Sequence, residues 1–533
     1  VLPIPNQTPH LLVRAIQDGS EGKIVHSTID LPLQLRTQQQ LQRYYSFLKG
    51  NSIYNGAALI LDVATGKTLA YACTSPSNSA ENGGSVDIIN AKRSYGSLLK
   101  PFLYAAMLEE GSILPQMLID DVPTYIAGFA PQNFFKDFDG VVPADQVLSR
   151  SLNVPSVRML ADYGIEKFHL LLPQLGIKSL NKPASHYGLS IILGGGESTM
   201  WEMTGAFASC ARSLTGGKPD FHSPYYALSD SMKATAEKTT PKVSLASIYF
   251  TLEAISASKR PGNDGNWIFF NSSQKIAWKT GTSYGLRDAW AIGVTSKYAV
   301  AVWLGNASGE GRAGLTGIGV AAPLMFDIFS LLNPAPWFSK PNGLTETMVC
   351  SESGYKASNR CEKPIKKLIP LKGLKTKICP FHKLIHVDKT EEWQVNTTCE
   401  NIADIKTQKW FVLPPVQEHF YKKKHSSYKI LPAYKKGCEN KAKETQMELI
   451  YPRKHSKIYL PIDIDGSQGK TIFKVAHRKP ETTIFWHLDE GFAGETKLYH
   501  EIEVFVKPGK HKLTLVDSKG EIVEADFEVI EKR

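Results

Sequence analysis

The sequence predicts an α+β protein in which an antiparallel sheet carries helices on its faces, followed by a basic segment and an all-β sandwich. Two hairpin patterns, at residues 57–73 and 288–304, enclose a long stretch of mainly helical patterns. Strands, a helical insertion and further strands are typical of the α+β class. From residue 448 onward, short strand patterns alternate with Gly, Asp and Pro turns, as in an immunoglobulin-like sandwich.

The chain is too long for a single hydrophobic core. At 533 residues, a length prior predicts about three domains. Pro334-Ala335-Pro336 marks one boundary, and the return of strand patterns marks another. We therefore expect four stretches: a connector at residues 1–50, the α+β domain at 51–335, a basic cysteine-containing linker or subdomain at 336–447, and the β-sandwich at 448–533.

Positive charge is concentrated in one segment. The formal net charge is +11, and residues 341–450 hold 20 basic and 12 acidic residues. Such a segment suits an anionic polymer such as cell wall, or nucleic acid or lipid. Aromatic residues beside lysines at 420–425 could indicate nucleic acid, but no recognisable nucleic-acid fold surrounds them, so we predict no nucleic-acid partner. There is no apolar run of about 18 residues and no signal-peptide pattern.

The cysteines divide into two groups. Cys73 and Cys210 lie in apolar contexts, whereas five others lie in the basic segment: Cys350, Cys361, Cys379, Cys399 and Cys438. Clustered cysteines in a segment poor in apolar periodicity favour disulfides, which would leave one cysteine unpaired and imply an oxidising compartment. The alternative is zinc, because Cys379-Pro380-Phe381-His382 has ligand-like spacing and Cys350 and Cys361 could complete a tetrahedral set.

The stretch 94–111 is the strongest candidate for chemistry. Apolar residues at helical spacing follow Leu98, and Gly111 is a C-terminal stop signal. Pro101 is tolerated only in the first turn, so we expect the helix to begin close to Ser97 with Lys100 one turn later. A desolvated lysine can act as the base for a serine, because burial lowers the pKa of an ammonium group.

Ser97 and Lys100 alone could be a helix cap and a surface lysine. Two further short motifs strengthen the interpretation that they are catalytic. Ser151-Leu152-Asn153 follows Ser97 by 54 residues, and Lys279-Thr280-Gly281, which occurs once, follows by a further 128. A Ser-x-x-Lys, a Ser-x-Asn-type motif and Lys-Thr-Gly in this order form the signature of penicillin-binding proteins and related β-lactamases. Their expected places are a helix start, a loop of the helical region and a sheet strand.

Residues 51–335 resemble the transpeptidase domain of class A penicillin-binding proteins. The short sequences around the motifs are most similar to the penicillin-binding protein 1C type, in which a C-terminal β domain follows the transpeptidase. These sequences are residues 99–104, 151–155, 193–197 and 279–285. The resemblance is weak across 336–447. No counterpart of the family's glycosyltransferase and membrane anchor is present, so residues 1–50 are expected to be the connector from a missing N-terminal domain.

The resemblance implies a peptidoglycan D,D-transpeptidase that works through a serine acyl-enzyme without a cofactor. Ser97 would attack the penultimate carbonyl of a D-Ala-D-Ala stem, and an acceptor amine would resolve the acyl-enzyme. Lys100 would accept the Ser97 proton, Ser151 would relay a proton, and Asn153 would hold the substrate and Lys100. Lys279 would supply positive charge and keep Lys100 deprotonated by like-charge repulsion.

The strand motif is expected to bind the substrate. The hydroxyls of Thr280 and Thr282 would bind the substrate carboxylate, and Gly281 would let substrate approach the strand backbone. The backbone N–H groups of Ser97 and Thr282 would form the oxyanion hole. Trp278, Tyr284 and Trp290 are more often packing residues than groove residues.

Three alternatives or extensions remain open. A noncatalytic β-lactam or peptidoglycan sensor or scaffold would keep the same motifs, and so would a serine β-lactamase, for which no deacylation motif is recognisable. The expected partners are peptidoglycan stem peptides, β-lactams as covalent inhibitors, and a cell-wall or envelope protein at the C-terminal β domain. The expected location is the periplasmic face of an inner membrane.

Overall fold

The computed structural model describes residues 6–74, 80–126, 128–228, 239–261, 274–438, 445–460 and 470–530. The α-helices are numbered here in chain order: α1 (Pro9–Ala15), α2 (Leu31–Leu48), α3 (Lys100–Glu110), α4 (Ala144–Ser149), α5 (Asn153–Tyr163), α6 (Ile165–Leu171), α7 (Ala184–Tyr187), α8 (Met200–Gly216), α9 (Leu245–Ser256), α10 (Ala322–Phe329) and α11 (Pro415–Lys424). No described helix is both long enough and apolar enough to cross a membrane.

Strands occur in all three main parts of the chain. In the first part they are β1 (Asn55–Asp62), β2 (Thr68–Cys73), β3 (Arg93–Ser94), β4 (Leu118–Asp121), β5 (Gly140–Pro143), β6 (Glu197–Ser198), β7 (Ala277–Thr282), β8 (Asp288–Val294) and β9 (Tyr298–Gly305). In the middle segment they are β10 (Leu344–Cys350), β11 (Pro364–Pro370), β12 (His382–Val387), β13 (Trp393–Gln394), β14 (Lys406–Phe411) and β15 (Ala433–Tyr434). In the C-terminal part they are β16 (Met447–Tyr451), β17 (Ser456–Tyr459), β18 (Thr471–His477), β19 (Ile484–Leu488), β20 (Gly491–Thr496), β21 (Glu501–Val504), β22 (Gly509–Asp517) and β23 (Ile522–Ile530).

A five-stranded antiparallel sheet is the centre of the first part. Its order is β2-β1-β9-β8-β7, so β7 is an edge strand. Alternate side chains of β1 enter two cores: Leu59 and Leu61 pack on one face, and Ala58 and Ile60 on the other. The first core includes α3 and α8, and the second includes α2 and α10. Burial on both faces explains why β1 reads as a continuous apolar run.

The middle segment is folded, although its sequence shows little apolar periodicity. It contains a β10-β11 hairpin and a four-stranded sheet in the order β14-β12-β13-β15. This segment packs on the end of α3, where Thr376 donates a hydrogen bond to the Gly111 carbonyl over 2.8 Å and Lys372 contacts Glu109. The middle segment therefore supports the helix that begins with Lys100.

The disulfide prediction was half right: two disulfides were expected among the five clustered cysteines, and one is formed. Cys399 and Cys438 form a disulfide, whereas Cys350, Cys361 and Cys379 are not disulfide-bonded. The expectation left one clustered cysteine unpaired, and the structure leaves three. These three lie beside one another in the fold and are considered further below.

The C-terminal part is a two-sheet β structure. A three-stranded sheet, β16-β18-β21, and a five-stranded sheet, β17-β23-β22-β19-β20, share one core that includes Phe473, Trp486 and Phe527. The α+β class with a C-terminal β domain is thus confirmed. Strand β20 pairs along β19, although Gly491 and Gly494 interrupt the strand pattern of its sequence.

Candidate active site

The turn that carries Ser97 lies directly against the edge strand β7. The α-helix begins at Lys100, slightly later than expected, and Ser97 lies in the preceding turn, where its carbonyl accepts from Lys100 N–H over 3.3 Å. Gly96 has φ +57°, and a Cβ there would lie 2.5 Å from the backbone nitrogen of Thr282. This turn is therefore fixed on the strand by backbone packing that a larger residue would disrupt.

Gly281 has a packing role in the same contact. A Cβ at Gly281 would lie 2.3 Å from the carbonyl oxygen of Tyr95, one residue before Gly96. The missing side chain therefore lets the serine turn pack closely on β7. The expected approach of substrate to the backbone of this strand stays a prediction.

Lys100 is held by the loop before α5. Its Nζ donates to the carbonyls of Ser151 and Leu152 over 2.8 and 3.0 Å, and to Asn153 Oδ1 over 2.7 Å. Among the described residues, no hydrogen bond joins Lys100 Nζ to the Ser97 hydroxyl. Hydrogen bonds of this kind are often long in a protein without substrate and shorten in the reacting complex.

Lys279 completes the group from the strand side. Its Nζ donates to Ser151 Oγ over 2.7 Å and to the Thr280 carbonyl over 2.9 Å. Ser151 has φ +57°, a backbone conformation that costs about 1–3 kcal/mol in a non-glycine residue and persists only where the surroundings enforce it. The two lysine contacts on Ser151, one to its carbonyl and one to its hydroxyl, accompany this strained conformation.

Both lysines are almost fully buried, at 2% exposed for Lys100 and 3% for Lys279. Burial lowers the pKa of Lys100 well below its ordinary value, and the neighbouring positive charge of Lys279 lowers it further. Burial lowers the pKa of Lys279 to about 7. The site can therefore hold a neutral amine at Lys100 beside a group that titrates near neutral pH.

The strand edge offers a backbone donor next to Ser97. Ser283 N–H donates to the Asp288 carbonyl on β8, so the alternation of an antiparallel strand directs Thr282 N–H to the opposite, open edge. The hydroxyl oxygen of Thr282 accepts from Gly317 N–H over 2.9 Å. Thr280 lies at the next outward position, partly exposed.

The three aromatic residues near β7 have different environments. Trp278 and Trp290 are buried, and Trp290 Nε1 donates to the Ser94 carbonyl over 2.8 Å, below the serine turn. Tyr284 is 99% exposed, so the packing expectation was wrong for this residue. It follows β7 in a loop and makes no core contact.

The sequence analysis missed residues that hold Asn153 in place. The buried Asn133 accepts from the backbone N–H groups of Asn153 and Val154 through Oδ1, over 3.0 and 3.1 Å. Asn133 Nδ2 in turn donates to Asp121 Oδ1 over 2.8 Å and to the Asp137 carbonyl over 2.9 Å. No motif marks these residues, because their contacts to the site come from a distant loop.

Comparisons with known proteins match two separate parts of the chain. Residues 56–215 match the family model of the penicillin binding protein transpeptidase domain, and residues 436–527 match that of the Penicillin-Binding Protein C-terminus Family. The solved penicillin-binding protein PonA1 of Mycobacterium tuberculosis superposes with a TM-score of 0.50 at 21% identity, covering 62% of this chain and 92% of that one. Residues 56–215 are thus a domain of the penicillin-binding transpeptidase family, and the solved structure is similar to this chain in fold.

Curated relatives indicate which type of penicillin-binding protein this chain is similar to. Penicillin-binding protein 1C of Escherichia coli strain K12 is 30% identical over 361 residues, which are 66% of this chain and 44% of that protein. Penicillin-binding protein 1B of Vibrio cholerae is 28% identical over 232 residues, 41% of this chain and 29% of that protein. The chain thus spans less than half the length of these relatives. Its two matched domains, in their observed order, fit a penicillin-binding protein of the 1C type.

Proposed function

We propose that this chain is a peptidoglycan D,D-transpeptidase that cross-links stem peptides through a serine acyl-enzyme and is inhibited by β-lactams. The observation that supports this most directly is the meeting of three distant motifs: Lys100 and Lys279 both contact Ser151, and the Ser97 turn packs on β7. These contacts are made by the fold, so they support the proposal in addition to the order and spacing of the motifs in the sequence.

Acylation follows from the roles of these residues. The Ser97 hydroxyl attacks the carbonyl of the penultimate D-alanine, and its proton passes to the neutral amine of Lys100. As the bond to the terminal D-alanine breaks, the Ser151 hydroxyl relays that proton from Lys100 to the nitrogen of the leaving D-alanine. The N–H groups of Ser97 and Thr282 stabilise the oxyanion, and such a donor is worth about 3–4 kcal/mol.

The open edge of β7 is the binding surface for the extended peptide. An edge strand presents unpaired backbone groups to which a peptide can add as a further strand. The Thr280 and Thr282 hydroxyls and the charge of Lys279 bind the terminal carboxylate. Asn153 fixes the peptide and the amine of Lys100 from the opposite side.

The substrate places the chain at the extracytoplasmic face of a membrane, in the periplasm. The disulfide between Cys399 and Cys438 suits that oxidising location. A cell-wall or envelope protein would bind at the C-terminal β domain.

Penicillin labelling tests the function. A fluorescent penicillin should form a one-to-one covalent adduct, and mass spectrometry should locate it on the peptide that contains Ser97. Ser97→Ala should abolish the adduct. Ser46→Ala is a matched control, because exposed Ser46 also precedes a lysine by three residues but lies outside the site. An adduct on another residue, or none on a folded protein, would contradict the proposal.

Substrate turnover separates the alternatives. A transpeptidase should release D-alanine from a D-Ala-D-Ala donor and transfer the acyl group to an added amine, and Ser97→Ala should lose both activities. Labelling without either activity would indicate a sensor or scaffold. Rapid turnover of a chromogenic cephalosporin, in place of a stable adduct, would indicate a β-lactamase.

A further inference from the structure

Three cysteines and a histidine meet in the middle segment. Cys350 ends β10, Cys361 precedes β11, Cys379 precedes β12 and His382 begins that strand. All four are buried, and one ligand atom from each lies within 4.8 Å of the others. Four soft or borderline ligand atoms from two separate segments, the β10–β11 connection and the start of β12, therefore surround one point.

The distances fit a metal ion better than a disulfide. His382 Nδ1 lies 3.6 Å from Cys350 Sγ and 3.4 Å from Cys379 Sγ. Tetrahedral zinc, with Zn–S of about 2.3 Å and Zn–N of about 2.0 Å, places sulfur and nitrogen about 3.5 Å apart. A disulfide would require two of the sulfurs to lie about 2.05 Å apart, and none of these three cysteines is disulfide-bonded.

Surrounding groups orient the ligands. His382 Nε2 lies 2.8 Å from Glu352 Oε2, which directs Nδ1 toward the three sulfurs, as in carboxylate–histidine–zinc sites. The N–H groups of Ser353 and Ser358 donate to the sulfurs of Cys350 and Cys361 over 3.4 and 3.3 Å. N–H donation to sulfur stabilises a thiolate, the form that binds a metal.

We propose that Cys350, Cys361, Cys379 and His382 bind a structural Zn²⁺ ion. Three thiolates and one imidazole form a Cys₃His set, which selects zinc through its soft ligands and tetrahedral geometry. Because all four positions are filled by buried protein ligands, the site is closed, with no position for substrate or a reactive water. The role of the ion is to hold together loops that have little apolar core of their own.

The proposed zinc site lies next to a strand that supports the active-site loop, so the ion would also stabilise that strand. The loop after Cys350 packs on strand β4, where Leu118 N–H donates to the Ser353 carbonyl over 2.9 Å. Gly354 has φ +68°, and a Cβ there would lie 1.9 Å from the Gln116 carbonyl oxygen. Strand β4 ends at Asp121, the residue that holds Asn133. The zinc loop thus supports the strand behind the active-site loop.

Metal and thiol analysis of the full chain tests the site. After growth with zinc, the purified protein should retain one zinc ion per chain through gel filtration and dialysis. Denaturation with a chelator and no reductant should then expose five thiols, those of the cysteines outside the disulfide. Absence of zinc together with three thiols would show a disulfide within the cluster and overturn the proposal. Absence of zinc with five thiols would overturn it as well.

Variants separate ligation from folding. His382→Ala should lose the zinc, whereas His382→Cys should retain it, because four thiolates also bind zinc tetrahedrally. Glu352→Gln should weaken zinc affinity by about 10–100-fold. Cys210→Ser is the matched control, since this cysteine lies outside the cluster, and it should keep full zinc occupancy. In the wild type, cobalt should give thiolate-to-metal absorption, and its absence would count against the site even if His382→Ala failed to fold.

Discussion

At the scale of single residues, the site contains two buried lysines that need opposite charge states, one neutral and one positive. In the proposed transpeptidase mechanism, Lys100 must be neutral to accept a proton, whereas Lys279 must be charged to attract a carboxylate. Burial lowers the pKa of both groups, and the charge of Lys279 is a second cause that lowers the pKa of Lys100. The charged form of one lysine therefore favours the neutral form of the other.

The two lysines predict a bell-shaped pH profile for acylation. The second-order rate with benzylpenicillin should rise with pH as Lys100 loses its proton, and should fall above about pH 7 as Lys279 loses its charge. Lys279→Arg should move the falling limb to higher pH, since a guanidinium stays charged. The rising limb should remain, because the repelling charge is kept. Stopped-flow or quenched labelling across pH measures both limbs.

Lys275→Arg is the control for this profile. Lys275 precedes the same strand but is paired with Glu253 at 2.7 Å, outside the site. Its substitution should leave both limbs in place. If Lys279→Arg also leaves the falling limb near pH 7, another group carries that titration, and the assignment of Lys279 is wrong.

At the scale of elements, the start of α5 is capped from outside the helix. The N-cap residue Leu152 offers no side-chain cap, and Asn133 from a distant loop accepts the first two N–H groups instead. Because Asn153 begins this helix, the same two hydrogen bonds fix the amide that contacts Lys100. The hydrogen bonds that cap α5 are therefore the same ones that position Asn153 in the site.

Removing the Asn133 side chain should affect both stability and acylation. Asn133→Ala leaves two helix N–H groups and Asp121 without their partner, which should cost about 1–3 kcal/mol of unfolding free energy. The acylation rate should fall about tenfold if Asn153 shifts by a fraction of an ångström. Gln132→Ala, at the exposed neighbouring position, should change neither measurement appreciably. Equal effects of the two variants would show that Asn133 does not position Asn153.

The sequence predicted the elements that carry chemistry better than those that support them. Pro101 and Gly111 are local signals, and they placed the ends of α3 to within three residues. Asn133 carries no such signal, since the helix N–H groups from which it accepts are 20 and 21 positions away. The spacing of Cys379 and His382 raised zinc as the alternative to disulfides, but spacing alone could not separate Cys399 and Cys438 from the remaining three cysteines.

At the scale of the whole molecule, the three parts of the chain are packed against one another. Val122, Val416, Ile450 and Ala476, which come from all three parts, form a shared buried cluster. Helix α11 contributes Val416 and lies between the other two parts. The sequence analysis treated residues 336–447 as a linker or subdomain. The apolar periodicity of this segment is poor because its short strands and turns each bury few residues, so the sequence did not reveal these contacts.

A buried ion pair joins the C-terminal part to α11. Arg478 contacts Glu418, and their side chains are 8% and 1% exposed. Glu418 also accepts from the Tyr428 hydroxyl over 3.0 Å, and Arg478 donates to the Leu413 carbonyl. Breaking a buried pair by removing one partner leaves an uncompensated charge, at a cost of about 3–5 kcal/mol.

This pair predicts how strongly the C-terminal domain is attached. Glu418→Ala and Arg478→Ala should each lower the free energy of unfolding by about 3–5 kcal/mol. The double variant Glu418→Leu with Arg478→Met should recover most of the loss, since it removes both charges and refills the space. Lys470→Ala is the control: its pair with Glu503 is more than half exposed on both sides, so its loss should cost about 1 kcal/mol or less. Urea unfolding followed by tryptophan fluorescence measures these differences. Single variants no less stable than the control would show that the apolar cluster alone holds the domains together.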